Sequence, residues 1–141
     1  MFTEDYSFDL LQNCIEQAIS LNADMLSGGY SWFDNAVQIS KNLFWADQFN
    51  GMQFTVIFNK FYRTILNADF GEEVITDFSL SGITDNKFVI YPYISRQKEF
   101  GYSDVTLTNA KRGQVDRIFE NSIQRLNTLN KVRDFYFPYK K

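Results

Sequence analysis

The chain has 141 residues, no histidine, one cysteine and a net charge of −3, and 45% of its residues are hydrophobic and 18% aromatic. This composition predicts one folded domain rather than a disordered chain, and no apolar run approaches the ~18 residues that span a bilayer. Because histidine is the commonest general base and metal ligand, its absence removes most hydrolytic triads and zinc sites, so we expect neither an enzyme nor a cofactor.

Apolar residues recur at steps of three and four in the first half of the chain, which predicts three N-terminal helices. The first spans Phe8–Leu26, with Ser7 as its N-cap. The second follows the capping-box-like run 31–34 and extends to Phe44. The third spans Met52–Asn67, where helical spacing explains more apolar positions than strand alternation does.

Beyond Gly71 the apolar period changes to two, which predicts strands. The first strand is Val74–Leu80 and the second is Lys87–Ser95, an edge strand because Pro92 cannot donate a ladder hydrogen bond. The third is Tyr102–Thr108. The short turns between the three predict an antiparallel meander.

A long C-terminal helix is predicted from about Gly113 to Phe135, packed on the sheet. Its expected buried stripe is Val115, Ile118, Phe119, Ser122, Leu126 and Leu129. Helices, then strands, then a helix indicate a single α+β domain over residues 1–141, with three N-terminal helices, a three-stranded antiparallel sheet and this last helix.

One set of charged residues is compatible with catalysis. Asp77, followed by Asp85-Asn86-Lys87, resembles the D…(D/E)-x-K pattern of restriction-type nucleases. The resemblance implies that Asp77 and Asp85 hold Mg²⁺ and that Lys87 stabilises charge on a phosphate. A turn-promoting Asp-Asn pair explains the same residues, so a metal-dependent nuclease is an alternative function.

The candidate partner-binding residues are acidic and aromatic. Asp69, Glu72 and Glu73 form an acidic patch that would attract a basic protein, although a solvated loop would have the same composition. Aromatic residues complete the set: Trp45 and Phe49 lie at a predicted helix end where full burial is harder to arrange. Tyr136 and Tyr139 belong to a C-terminal run whose aromatic rings either fold back over the sheet or pack against a partner.

These features predict a small cytoplasmic, non-catalytic protein that binds a partner protein, as inhibitors, immunity proteins and phage counter-defence proteins do. A lone cysteine and no visible export signal favour the cytoplasm. The alternative is a structural or assembly subunit of a phage particle or a homo-oligomer, such as a homodimer. The calculated pI of about 4.9 disfavours nucleic acid as a partner, and we expect no contact with a membrane.

Overall fold

The computed structural model describes residues 1–71, 76–98 and 113–138. Its elements, in chain order, are α1 (Phe8–Ser20), β1 (Met25–Ser27), β2 (Trp32–Phe33), β3 (Ala36–Ser40), β4 (Leu43–Ala46), β5 (Phe49–Asn50), β6 (Thr55–Ile57), α2 (Asn59–Asn67), α3 (Thr76–Gly82), β7 (Lys87–Ile90) and α4 (Gln114–Tyr136). The α+β class is as predicted, but the predicted arrangement is wrong, because one N-terminal helix and a mixed sheet replace three helices and a meander.

Two sheets organise the described residues. The larger sheet has five strands in the order β3-β4-β7-β1-β6, and the smaller pairs β2 with β5. Strands β1 and β7 are parallel, whereas the other neighbouring strands are antiparallel. A parallel pair needs a long crossover between its strands, and here the crossover contains β2 to β6, α2 and α3.

Helix α1 is shorter than predicted. Its N-cap is as expected, since the Ser7 side chain accepts a hydrogen bond from the Leu10 N–H at 3.1 Å. The helix ends at Ser20, and Asn22 follows in the left-handed region with a φ of 56°. Asparagine tolerates that conformation, so the chain turns there and Met25–Ser27 joins the sheet as β1.

The predicted second helix is wrong, because its residues form strands. In β4 the neighbours Leu43 and Phe44 are both fully buried, on opposite sides of the sheet. A strand covered on both faces shows adjacent apolar residues instead of alternation. Together with Phe33 and Val37 on β2 and β3, these residues imitate helical spacing.

The predicted third helix is only half correct. Its first half, rich in β-branched and aromatic residues, contains β6, which pairs with β1 through Val56 opposite Leu26. Its second half is α2, which begins at Asn59.

The predicted strand Val74–Leu80 is also wrong over its described residues, which belong to α3. Leu80 and its neighbour Ser81 are buried, and the Ser81 hydroxyl donates to the Phe78 carbonyl at 2.7 Å. A seven-residue helix is too short for two full apolar turns, so its pattern is easily read as alternation.

Strand β7 is central rather than an edge strand. It ends at Ile90, before Pro92, so the proline removes no ladder hydrogen bond from the sheet. All four of its residues are buried between β4 and β1. The predicted third strand, Tyr102–Thr108, lies outside the described residues, and the antiparallel meander is wrong because β7 pairs in parallel with β1.

Helix α4 agrees with the predicted C-terminal helix to within one residue at each end. Of the predicted stripe, Val115, Phe119, Ser122 and Leu126 are buried. Leu129 is 38% exposed, so its predicted place in the buried stripe is wrong. None of the helices in the described residues has the length and apolar content that crossing a bilayer requires.

The core has two parts, one on each face of the larger sheet. On one face, α1 packs Cys14 and Ala18 against residues such as Leu26 and Ile90. On the other face, α4 and the β2–β5 ribbon enclose an aromatic cluster that contains Tyr30, Phe33, Phe44, Phe49, Tyr93 and Phe119. Both faces of the sheet are therefore covered.

A pair of glycine substitutions tests the close approach of the chain at the end of β1. A Cβ at Gly29 would lie 2.3 Å from the Ser95 carbonyl oxygen, whereas nothing lies within 4 Å of a Cβ at Gly82 in α3. We expect Gly29→Ala to lower the free energy of unfolding in urea by about 1–3 kcal/mol. The control Gly82→Ala should be neutral or raise it by up to about 1 kcal/mol. Equal effects of the two substitutions would contradict this packing.

Candidate functional site

Helix α4 changes character after Leu126. Up to that residue its buried side chains are apolar or small, and they lie in the aromatic core. From residue 127 to the end of the helix no residue is fully buried. The last ten residues of the helix therefore lie on the surface of the domain.

Polar side chains attach this second half of α4 to the rest of the domain. Asn127 accepts a hydrogen bond from the Tyr91 hydroxyl at 2.8 Å, and Asn130 accepts one from the Gln38 amide of β3 at 2.7 Å. Partial burial raises the pKa of Tyr91, with a smaller contribution from the nearby carboxylates of Asp134 and Asp5, so this hydroxyl stays a donor at neutral pH. Side-chain hydrogen bonds of defined geometry therefore join this half of the helix to the sheet.

The opposite side of this half is apolar and exposed. Leu129, Val132, Phe135 and Tyr136 are 38%, 52%, 79% and 67% exposed, and we call these four residues the outer face of α4. At about 100° per residue they cover an arc of about 120°, centred almost opposite Asn127 and Asn130. The helix is amphipathic, but its apolar side faces solvent.

The part of the sequence that contains the outer face is rich in positive charge. Residues 125–141 contain five basic and one acidic residue, a net charge of +4, whereas residues 1–124 carry −7. Among the described residues, Lys131 is exposed and the Arg133 guanidinium lies over the Phe137 ring, 5.4 Å from its centroid. The outer face therefore combines an apolar centre with a basic surround on an acidic protein.

The predicted partner-binding residues fall in different environments. Tyr136 belongs to the outer face, and its ring contacts Phe135 edge to face at 4.9 Å between centroids. Phe49 is fully buried and stacks on Tyr30 at 4.2 Å, so its ring does not reach solvent. Asp69 is exposed, and its carboxylate accepts a hydrogen bond from the Gly71 N–H at 3.1 Å.

Trp45 is half-buried on β4, and its indole N–H donates to the Asp85 carbonyl at 2.7 Å. Glu72, Glu73 and Tyr139 lie outside the described residues. Among the described candidates no hydrogen bond or ring contact joins any two, so the structure does not bring them into one site. Leu129 and Val132 were missed because periodicity does not show where the body of the domain ends.

Two residues of the nuclease alternative, Asp77 and Lys87, make hydrogen bonds to backbone groups of the domain. The Asp77 carboxylate on α3 accepts the Met52 N–H at 3.0 Å, and Asp85 is exposed in the loop before β7. The Lys87 ammonium donates to the Thr84 carbonyl at 2.6 Å. In the described part of the chain, no three carboxylate or cysteine side chains are grouped so that they could hold a metal ion.

Lys87 is unusual because it is a lysine on a central strand with only 2% of its surface exposed. Burial lowers its pKa from the usual 10.5, and the negative charges of Asp85 and Asp47 offset this only in part. Its ammonium also lies 5.9 Å from the centroid of the Trp45 ring. A cation is therefore enclosed in the sheet at some cost in stability.

Comparison with known proteins identifies no relative, because no protein-family model, curated protein or solved structure matches the chain.

The buried lysine gives a pH dependence. Between its lowered folded pKa and about 10.5, the unfolded state binds more protons at Lys87 than the folded state does, so this residue makes stability rise with pH. We expect the unfolding free energy of the wild type, measured relative to that of Lys87→Met, to increase as the pH rises from neutral toward about 10.5. Other titrating groups, such as Cys14, are common to both proteins and cancel in the difference. A difference that is constant with pH would contradict the lowered pKa.

Proposed function

We propose that this chain is a non-catalytic binding protein that inserts the outer face of α4 into an apolar groove on a partner protein. The observation that carries the proposal is the reversal of polarity along α4, where polar side chains anchor the helix to its own domain and apolar ones face outward. A helix that presents residues at i, i+3 and i+7 is the usual ligand of such grooves, and Leu129, Val132 and Tyr136 have this spacing.

The outer face has the composition of an interface centre. Fully burying one large apolar side chain is worth about 1.5–3 kcal/mol, so four of them can supply several kcal/mol before the costs of association. Tyrosine is among the residues that most often dominate binding energies, and two adjacent aromatic rings lie at the exposed end of this face. Inhibitors, immunity proteins and phage counter-defence proteins act by covering a partner in this way.

The charge of the segment that contains the outer face indicates which partner fits. A groove with an acidic rim would complement the +4 segment 125–141. A second copy of the chain, paired through the same face, would bring two such segments together and pay for like-charge repulsion. We therefore favour an acidic partner protein over the homodimer at this face. The basic partner expected for Asp69, Glu72 and Glu73 stays a prediction for a different surface.

Photocrosslinking with a matched control tests the proposal. Tyr136 and Tyr62 are both exposed tyrosines on helices, at 67% and 53%, and only Tyr136 lies on the outer face. With p-benzoylphenylalanine at either position, we expect one stoichiometric adduct in cells of the source organism from position 136 and none from position 62. The captured protein is then purified and titrated with the chain.

In that titration, Val132→Asp should weaken binding about tenfold or more, because it places a charge in an apolar contact. Leu66→Asp, at an exposed leucine on α2, should change the affinity by less than about twofold. No adduct at position 136, equal adducts at both positions, or an affinity unaffected by Val132→Asp would each contradict the proposal. A dimer seen by light scattering and lost in Val132→Asp would favour the homo-oligomer instead.

A further inference from the structure

A cleft of about 190 Å³ lies where the β2–β5 ribbon meets α4, one helical turn before the outer face. We call it the Trp32 cleft, and it is lined by Ser31, Trp32, Ile118, Asn121, Ser122 and Arg125. It is smaller than the 300–1,000 Å³ usual for small-molecule sites. Its size suits a single side chain.

The two-stranded ribbon fixes Trp32 at the rim of the cleft. Strand alternation sends Phe33 into the core, where it is 1% exposed, and leaves Trp32 43% exposed. On the paired strand β5, the ring of Phe49 stacks on Tyr30 in the core. The Ser31 hydroxyl donates to the Asn50 carbonyl at 3.0 Å and secures the start of the ribbon. The indole of Trp32 therefore forms a half-exposed wall of the cleft.

Arg125 supplies a positive charge at the same place. Its two terminal nitrogens donate to the Phe33 and Asp34 carbonyl oxygens, and its guanidinium lies 4.1 Å from the centroid of the Phe33 ring. In the described residues the ion pair present is Lys60 with Asp24, and no carboxylate lies within 4.0 Å of Arg125. A guanidinium has five N–H donors, of which the backbone uses two.

The cleft and the outer face form one continuous surface. Asn121, Arg125, Leu129 and Val132 follow at steps of four, four and three, so they lie along one side of α4. Arg125 and Tyr136 are about 16 Å apart along the helix axis at 1.5 Å per residue. A partner segment of about this length that covers the outer face can therefore reach the cleft.

We propose that the Trp32 cleft receives a glutamate or aspartate side chain of the partner protein, with Arg125 pairing the carboxylate and Trp32 covering its methylene groups. This assignment rests on the proposed function. Arginine is preorganised for carboxylates, and here its position is already fixed by the backbone, so little ordering entropy is lost on pairing. Nucleic acid fits less well, because the −7 charge of residues 1–124 repels a polyanion and the cleft is too small for a nucleotide.

Selection of a phage-displayed random peptide library on the immobilised wild-type protein tests the assignment. We expect the selected peptides to carry an acidic residue at a constant distance from their apolar residues. In a synthetic peptide, changing that residue to its amide should weaken binding to the wild type about tenfold or more, since a charge-assisted pair is lost. The same change should cost less than about twofold with Arg125→Met, and it should keep its full effect with Lys131→Met, which removes a charge outside the cleft.

The outcomes separate the two proposals. If Val132→Asp leaves peptide affinity unchanged, the proposed function fails. If Val132→Asp weakens binding but the change of the acidic peptide residue to its amide costs as much with Arg125→Met as with the wild type, only the cleft assignment fails. Should Arg125→Met unfold, Trp32→Ala replaces it, because this half-exposed ring can be removed without opening the core, and its loss should reduce the effect of the peptide carboxylate. Arg125-dependent binding of oligothymidylate would overturn the choice of a protein carboxylate.

Discussion

The burial of β7 on both faces is the constraint on which the rest of this structure depends. Its pairing with β1 in parallel and β4 antiparallel sets the order of the sheet. Phe88 and Ile90 face the side that α1 covers, and Val89 faces the side that α4 and the β2–β5 ribbon cover. Because both faces are apolar, the sheet needs a layer on each side, and α4 is fixed in place as part of the second layer. Because the first part of α4 is packed in this layer, the second part of the helix lies on the surface.

Helix α4 could be predicted almost completely from the sequence, and α1 in part, because both have apolar residues at helical spacing, and α1 also begins after a capping serine. The same patterns predicted a helix where the structure has β3 and β4, and a strand where it has α3. In β4, Leu43 and Phe44 are adjacent and buried on opposite faces, so the pattern of a doubly covered strand overlaps with that of a helix. The parallel pairing of Leu26 with Phe88 joins residues far apart in the chain, and no local pattern predicts it.

The candidate site was also predictable from the sequence only in part. The ring cluster near Tyr136 is visible in the sequence because aromatics and cations alternate there. The Trp32 cleft is not visible, since the contact between Arg125 and the Phe33 carbonyl spans 92 residues and depends on the ribbon's pairing. Leu129 continues the apolar period of the buried stripe, and only the structure shows that the helix has by then passed the edge of the core.

The outer face of α4 is proposed to contribute to binding and not to folding, and equilibrium unfolding tests this most directly. The double variant Val132→Ser, Tyr136→Ser should keep the unfolding free energy of the isolated chain within about 0.5 kcal/mol of the wild type. Leu126→Ala, six residues before Val132 and on the buried side of the helix, should lower it by about 2–5 kcal/mol. A loss in the double variant as large as that of Leu126→Ala would contradict the account, because the outer face would then be covered within the fold itself.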